Sequence, residues 1–188
     1  MNDLLWKFLN IRVYQERGLP SLHKPLLLLY ALGKLIQENQ RLISFIEIDS
    51  ALSILLKEFH PSGSNQLNTH YPFGKLENDG IWEVEQSISL KRTAVGHLFK
   101  SEIIEKGIRG GFNVQVFNTL ISNKNLAHFV AQALARKYFR ELEYFRVLDA
   151  VGIKEIHFDH LADIVDAVST NQDYANRICA VKLNGAME

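Results

Sequence analysis

The stretch His23-Lys24-Pro25-Leu26-Leu27-Leu28-Leu29-Tyr30-Ala31-Leu32-Gly33 decides how this chain folds. Four consecutive leucines leave no polar face on a helix. The helix they predict over residues 23–39 is therefore apolar nearly all round and belongs in the centre of a core. Pro25 falls in its first turn, where a missing N–H costs nothing. Upstream, Leu4, Leu5, Phe8, Leu9 and Val13 recur at helical spacing and predict an amphipathic helix over residues 3–17, ended by Gly18, Leu19 and Pro20. Downstream, the β-branched and aromatic residues of 41–48 suggest a short strand, and Asp49 or Ser50 is placed to cap a helix over 51–59. Residues 60–70, HPSGSNQLNTH, form a polar loop of the length that often carries function. Two apolar runs, 71–76 and 81–85, flank Glu77-Asn78-Asp79-Gly80, a hairpin signal. Helical patterns follow at 90–107, 113–121 and 124–139, with Gly110-Gly111 as a break and Asn113 as a cap, then at 141–151, 158–168 and 171–183. The expected class is α+β, predominantly α-helical with a small antiparallel sheet or hairpin.

Composition narrows the function classes. The 188 residues, 47% hydrophobic and 22% charged, are those of an ordinary soluble globular protein. One cysteine, Cys179, excludes a disulfide scaffold and a cysteine-rich zinc site, and its apolar helical setting is that of a buried, inert thiol. The longest apolar run, at 25–31, falls far short of the roughly 18 residues of a membrane span. The N-terminal MNDLLWKFLN lacks the basic and apolar regions of a secretory signal, so a cytoplasmic protein is expected. Lys and Arg number 21 and so do Asp and Glu, a zero balance that argues against a nucleic-acid partner. The spread along the chain is uneven: residues 86–146 carry ten basic and four acidic side chains between two acidic segments. This reads either as ordinary variation on solvated helices or as a local phosphate-facing surface.

No enzyme centre stands out. There is no nucleophile elbow and no phosphate-binding Gly-rich loop with its lysine. Among seven histidines the tightest cluster is His157-Phe158-Asp159-His160, which offers two imidazoles on one helical face to a metal, or simply starts a helix with Asp159 as a cap. No metal or cofactor is expected. Two stretches are stranger. Lys24 stands at a helix N-terminus, where the dipole disfavours a cation, which suggests placement for an anion. In His70-Tyr71-Pro72-Phe73-Gly74-Lys75, rings and a proline form a rigid apolar wall beside a basic residue, or else simply enter a strand with core aromatics.

Together these stretches resemble the sulfur-binding domain of phosphorothioate-dependent type IV restriction endonucleases. The resemblance rests on the run from His23 to Gly33, on Tyr71-Pro72-Phe73 with Lys75-Leu76, and on Asn78-Asp79-Gly80-Ile81-Trp82. Arg109-Gly110-Gly111-Phe112 and Leu148-Asp149-Ala150-Val151-Gly152-Ile153 extend it over about residues 5–153. It implies binding of double-stranded DNA in which sulfur replaces one non-bridging phosphate oxygen, by a recognition module without catalysis of its own. Sulfur is larger, more polarisable and a poorer acceptor than oxygen. A wall of Pro and aromatic edges accepts it, while an oxygen pushed there loses its water unpaired, at about 1–3 kcal/mol. A chiral pocket would also choose one phosphorus stereoisomer. The resemblance implies a sulfur site of His23, Lys24, Tyr71, Pro72, Phe73 and Lys75, with Lys24 and Lys75 neutralising the phosphate. Ser64, Asn65 and Gln66 of the polar loop are candidate readers of base edges, and Lys100 and Arg109 candidates for backbone phosphates. The sequence departs from the family at Lys24, where Arg is common, and at Gly74, where a larger residue is expected.

The resemblance divides the chain at 153. Residues 154–188 would be a helical extension, too short for the HNH nuclease domain that follows in this family. The chain then either belongs to a longer nuclease or is a stand-alone reader with a nuclease partner. The alternatives are a winged-helix-like regulator of unmodified DNA, with the 71–85 hairpin as its wing, a metal-dependent nuclease on His157, Asp159 and His160, and a plain protein–protein module.

Overall fold

In a computed structural model, residues 2–16, 18–59 and 67–156 are described, the side chains of residues 2, 3 and 16 excepted. The central helix forms as the sequence predicts. It is α2 (His23–Glu38), preceded by α1 (Asn2–Leu9) and a two-strand ribbon of β1 (Gln15–Glu16) and β2 (Leu19–Pro20). Leu26, Leu27, Leu28, Leu29, Leu32 and Leu35 are all 0% exposed, so α2 is buried nearly all round until its last turn, where Gln37 and Glu38 reach solvent. At about 1.5–3 kcal/mol for each fully buried leucine, this helix alone supplies a large share of the core's driving force.

Around it lie β3 (Leu42–Ser44), α3 (Phe45–Phe59), α4 (His70–Lys75), β4 (Trp82–Val84), α5 (Lys100–Glu105), β5 (Arg109–Phe112), α6 (Val114–Ser122), α7 (Lys124–Tyr138) and α8 (Glu141–Ala150). Helix α2 packs on α3, α4, α6 and α7. The strands β3, β5 and β4 form an antiparallel sheet in that order, with Ile43 and Val84 both opposite Gly110. The class is the expected one, mostly helical with a small antiparallel sheet.

Several local expectations are corrected. The first helix stops at Leu9, and residues 10–14 lead without regular structure into β1. The 41–48 stretch splits, three residues pairing as β3 before α3 starts at Phe45, ahead of the expected cap. Of the helix expected over 90–107 only α5 is helical. Gly96, at φ 78°, turns the preceding segment back so that Arg92 bridges Leu98. The 71–85 hairpin is absent. Residues 70–75 are helical with Pro72 in the first turn, a 3-10 turn follows (Leu76–Asp79), and Gly80 at φ 70° ends it. The Asn-Asp-Gly signal is thus a left-handed helix stop rather than a hairpin turn. With no hairpin at 71–85 there is no wing, and the winged-helix reading loses its second element.

The Gly110-Gly111 pair, expected to break two helices, is instead the middle of the central strand. A Cβ on Gly110 would lie 2.6 Å from the Phe73 ring, and one on Gly111 would lie 1.7 Å from the Arg41 carbonyl oxygen. Only bare backbone lets the sheet approach α4 this closely. The helices α6, α7 and α8 match their expected spans, and Asn113 caps α6 by accepting from the Val116 N–H at 2.9 Å. The expected helices at 158–168 and 171–183, Cys179, and the His157, Asp159 and His160 cluster lie outside the described residues. No described helix is long and apolar enough to cross a membrane.

Candidate nucleic-acid interface

The fold brings the two strange stretches together. The first turn of α2 and the helix α4 line one open cavity of about 590 Å³, together with the segment around Arg12–Tyr14, Asn68, Asn78 and His97. His23, Lys24, Tyr71, Pro72 and Lys75 all reach it. The two motifs are separated by nearly fifty residues, and burial of α2 between α3 and α4 is what closes that distance.

The aromatic wall is built as a stack. Tyr71 lies against His97 with ring centroids 3.8 Å apart and planes 19° from parallel, and the His70 ring meets Tyr71 edge-on at 4.5 Å. Pro72 beside it is buried. The loop carrying His97 is a small closed unit. Thr93 N–H donates to the His97 carbonyl, Gly96 N–H to the Thr93 carbonyl, and His97 N–H to the Thr93 hydroxyl. Lys75 fastens this loop by donating from Nζ to the Val95 carbonyl at 2.5 Å. Gly74 explains the second departure from the family: a Cβ there would meet the buried Leu98 side chain at 2.9 Å. The missing side chain lets the His97 loop seat against α4, and it does not enlarge the cavity.

Burial holds the His97 imidazole below its usual range, with the Lys75 charge acting the same way. His70 is lowered too, first by burial and then by the charges of Lys100 and His97, against the opposing pull of Asp49. Both rings are therefore neutral near pH 7 and present uncharged faces. On the opposite side, the Ser21 hydroxyl and His23 Nδ1 are 2.9 Å apart, which steadies the His23 ring at the start of α2.

Lys24 is arranged differently from the expectation. Its Nζ lies 2.5 Å from Oδ2 of Asp79, and the two side chains are only 12% and 3% exposed. The second oxygen of Asp79 accepts the Arg12 N–H at 2.9 Å. The anion that Lys24 was placed for, against the helix dipole, is thus a carboxylate of the protein itself. Asp79 also ties three parts of the cavity together: the 3-10 turn, the α2 N-terminus and the strap around Arg12.

The remaining expected site residues lie elsewhere. Phe73 is 0% exposed and points into the core, edge-on to Phe45 at 5.0 Å and to Trp82 at 6.2 Å, so it supports the wall from behind and does not line it. Lys100 pairs with Asp49 at 2.7 Å, a carboxylate that also accepts from Thr69, and is not among the cavity residues. Arg109 forms a two-pronged pair with Glu85 at the sheet, at 2.9 and 2.8 Å, and is likewise outside the cavity. Ser64, Asn65 and Gln66 lie outside the described residues, and Asn68 is the part of that loop that reaches the cavity. The basic 86–146 stretch is partly matched by acidic side chains. Lys100, Arg92, Arg109 and Arg146 pair with Asp49, Glu77, Glu85 and Glu58, all from the acidic segment 41–85. No group of three or more His, Cys, Asp and Glu converges to hold a metal among the described residues.

Sequence reasoning missed Arg12, Val13, Tyr14, Asn68, Asn78, Asp79 and His97. The helical periodicity of 3–17 hides the 12–14 segment, and the Asp-Gly hairpin signal hides Asp79. His97 carries no local signal, because its partner Tyr71 is 26 positions away.

The sequence model for the ScoMcrA-like DNA sulfur-binding domain matches residues 1–156. The structure of the sulfur-binding domain of ScoMcrA complexed with phosphorothioated DNA superposes with a TM-score of 0.66 at 24% identity, covering 79% of this chain and 98% of that one. The sulfur-binding domain of SprMcrA, also complexed with phosphorothioated DNA, gives a TM-score of 0.65 at 22% identity, covering 80% and 93%. The type IV phosphorothioation-dependent restriction endonuclease ScoMcrA gives 0.62 at 23%, covering 87% of this chain and 32% of that one. No curated protein sequence matches the chain significantly.

Proposed function

The chain belongs to the ScoMcrA-like family of DNA sulfur-binding domains, and on that footing we propose that it binds double-stranded DNA carrying a phosphorothioate, with the sulfur seated in the cavity between α2 and α4. The observation that supports this reading most is the convergence of His23, Tyr71 and Pro72 on one cavity from two distant segments. A proline ring and a neutral ring stack suit a polarisable atom that asks little of hydrogen-bond donors. An ordinary phosphate oxygen in the same place is stripped of water without repayment. Arg12 and Lys75 at this cavity bring positive charge to the phosphate that carries the sulfur, and the loop ending at Asn68, with Ser64, Asn65 and Gln66, reads flanking bases. Cleavage is assigned to a nuclease domain or partner and not to residues 1–156.

The test is a gel shift on one duplex with and without a single sulfur. Tyr71→Ala and Pro72→Ala are expected to lose about tenfold in preference for the sulfur duplex, the size of one desolvated contact, while holding general DNA affinity within a few-fold. If both variants weaken the two duplexes equally, the cavity is not the sulfur site.

A further inference from the structure

We infer that Asp79 sets the selectivity of this site: by neutralising Lys24 inside the cavity wall it keeps an ammonium donor away from the ligand and so biases the cavity toward sulfur and against oxygen. The inference rests on the sulfur-binding reading and goes beyond it, because it concerns a residue outside the sulfur wall and explains discrimination rather than binding.

The geometry carries the argument. Lys24 lines the cavity, yet its Nζ lies 2.5 Å from Oδ2 of Asp79, and the carboxylate side chain is 3% exposed. Water does little to separate or screen a pair so enclosed. A lysine without this partner would offer a charge-assisted hydrogen bond to whichever atom entered. Such a bond is stronger to a phosphate oxygen than to sulfur, because sulfur is the poorer acceptor. It would repay the lost hydration of oxygen, which is the penalty on which discrimination depends. Lys75, the other lysine of the cavity, donates from Nζ to the Val95 carbonyl at 2.5 Å and keeps its charge for the phosphate. The cavity thus contains cationic side chains while the Lys24 amine is committed to a carboxylate of the protein.

Asp79→Asn tests this with little change of shape, since the amide oxygen still accepts the Arg12 N–H. Affinities are measured for one duplex with and without the sulfur, at several salt concentrations, on wild-type protein, Asp79→Asn, and Asp79→Asn combined with Lys24→Met. In Asp79→Asn the unmodified duplex is expected to bind more tightly, and the sulfur preference to narrow about tenfold, one charge-assisted hydrogen bond's worth. The salt dependence of binding steepens by about one phosphate contact, roughly 0.9 in slope. In the double variant the freed amine is gone, so the ratio and slope return toward wild type while the absolute affinities shift. A purely structural clamp would lower affinity for both duplexes alike, with an unchanged ratio and slope. That outcome overturns the inference, as does a double variant that lacks the preference. If Asp79→Asn fails to fold, Asp79→Ser, which frees the same amine and leaves room for a water beside it, takes its place, with the same narrowing expected and the same unchanged ratio overturning the inference. A wild-type protein without any sulfur preference would instead refute the underlying reading.

Discussion

Replacing Phe73 with leucine separates the wall of the cavity from the core behind it. Phe73 sits between the two site residues Tyr71 and Pro72 on one side and the sheet on the other. Its ring is fully buried, edge-on to Phe45 at 5.0 Å and 64° and to Trp82 at 6.2 Å and 78°. Leucine keeps most of the volume, and swaps of that kind cost below about 1.5 kcal/mol. The two ring contacts that vanish are worth about 0.5–1.5 kcal/mol each. Together the loss is about 2 kcal/mol, which for an m-value of about 1–3 kcal/mol/M moves a urea midpoint by about 1 M. The domain remains folded, since that is a minority of a typical stability of about 5–15 kcal/mol. The assay is urea unfolding followed by fluorescence, paired with binding to the duplex with and without sulfur. The account predicts a lower midpoint and an unchanged sulfur preference. An unchanged midpoint with a lost preference would put Phe73 in the ligand's path and refute the assignment.

Gly33→Ala probes the closure of the domain. The added Cβ would stand 2.2 Å from the Val151 carbonyl oxygen, which also accepts from Gln37 at 3.1 Å. Better helix propensity returns about 1 kcal/mol, and overpacking against backbone costs about 1–3 kcal/mol, so a net loss of about 1 kcal/mol is expected in urea unfolding. Acid should destabilise the fold early, because His70, His97 and His128 are all held below their usual range chiefly by burial. Their neutral forms favour the folded state. That contribution is present above the unfolded histidine pKa of about 6.5 and is lost as pH falls through the lower folded values. Melting temperatures between pH 7.5 and 5 should fall accordingly. His97→Phe, which keeps the stack on Tyr71, should show a smaller drop.

The central helix was legible because four successive leucines admit no exposed face, and α6 to α8 because their periodicity is undisturbed. The site was legible in part. His23 and Tyr71-Pro72 form a pattern dense enough to be read locally, and the buried α2 joins its two halves. What the chain did not reveal was long-range pairing. Asp-Gly serves a hairpin or a helix stop equally well, and β4 finding β5 rather than residues 71–76 decided between them. Lys24 against a helix dipole signalled an anion correctly, but the anion lies 55 positions away in Asp79. Segment charge misled for the same reason. The excess over 86–146 is partly matched by acids of 41–85 that only folding brings near. Gly110-Gly111 reads as a break from sequence and as a strand once Phe73 and Arg41 close on either side.

The most direct measurement is calorimetric titration of the protein with three duplexes of one sequence: the unmodified duplex and the two phosphorothioate duplexes that carry one sulfur as a single phosphorus stereoisomer each. The account predicts tighter binding of one sulfur stereoisomer than of the unmodified duplex, by about tenfold or more, because a phosphate oxygen in the same cavity forfeits hydration worth about 1–3 kcal/mol. Affinity for the oxygen duplex equal to that for both sulfur stereoisomers would contradict it.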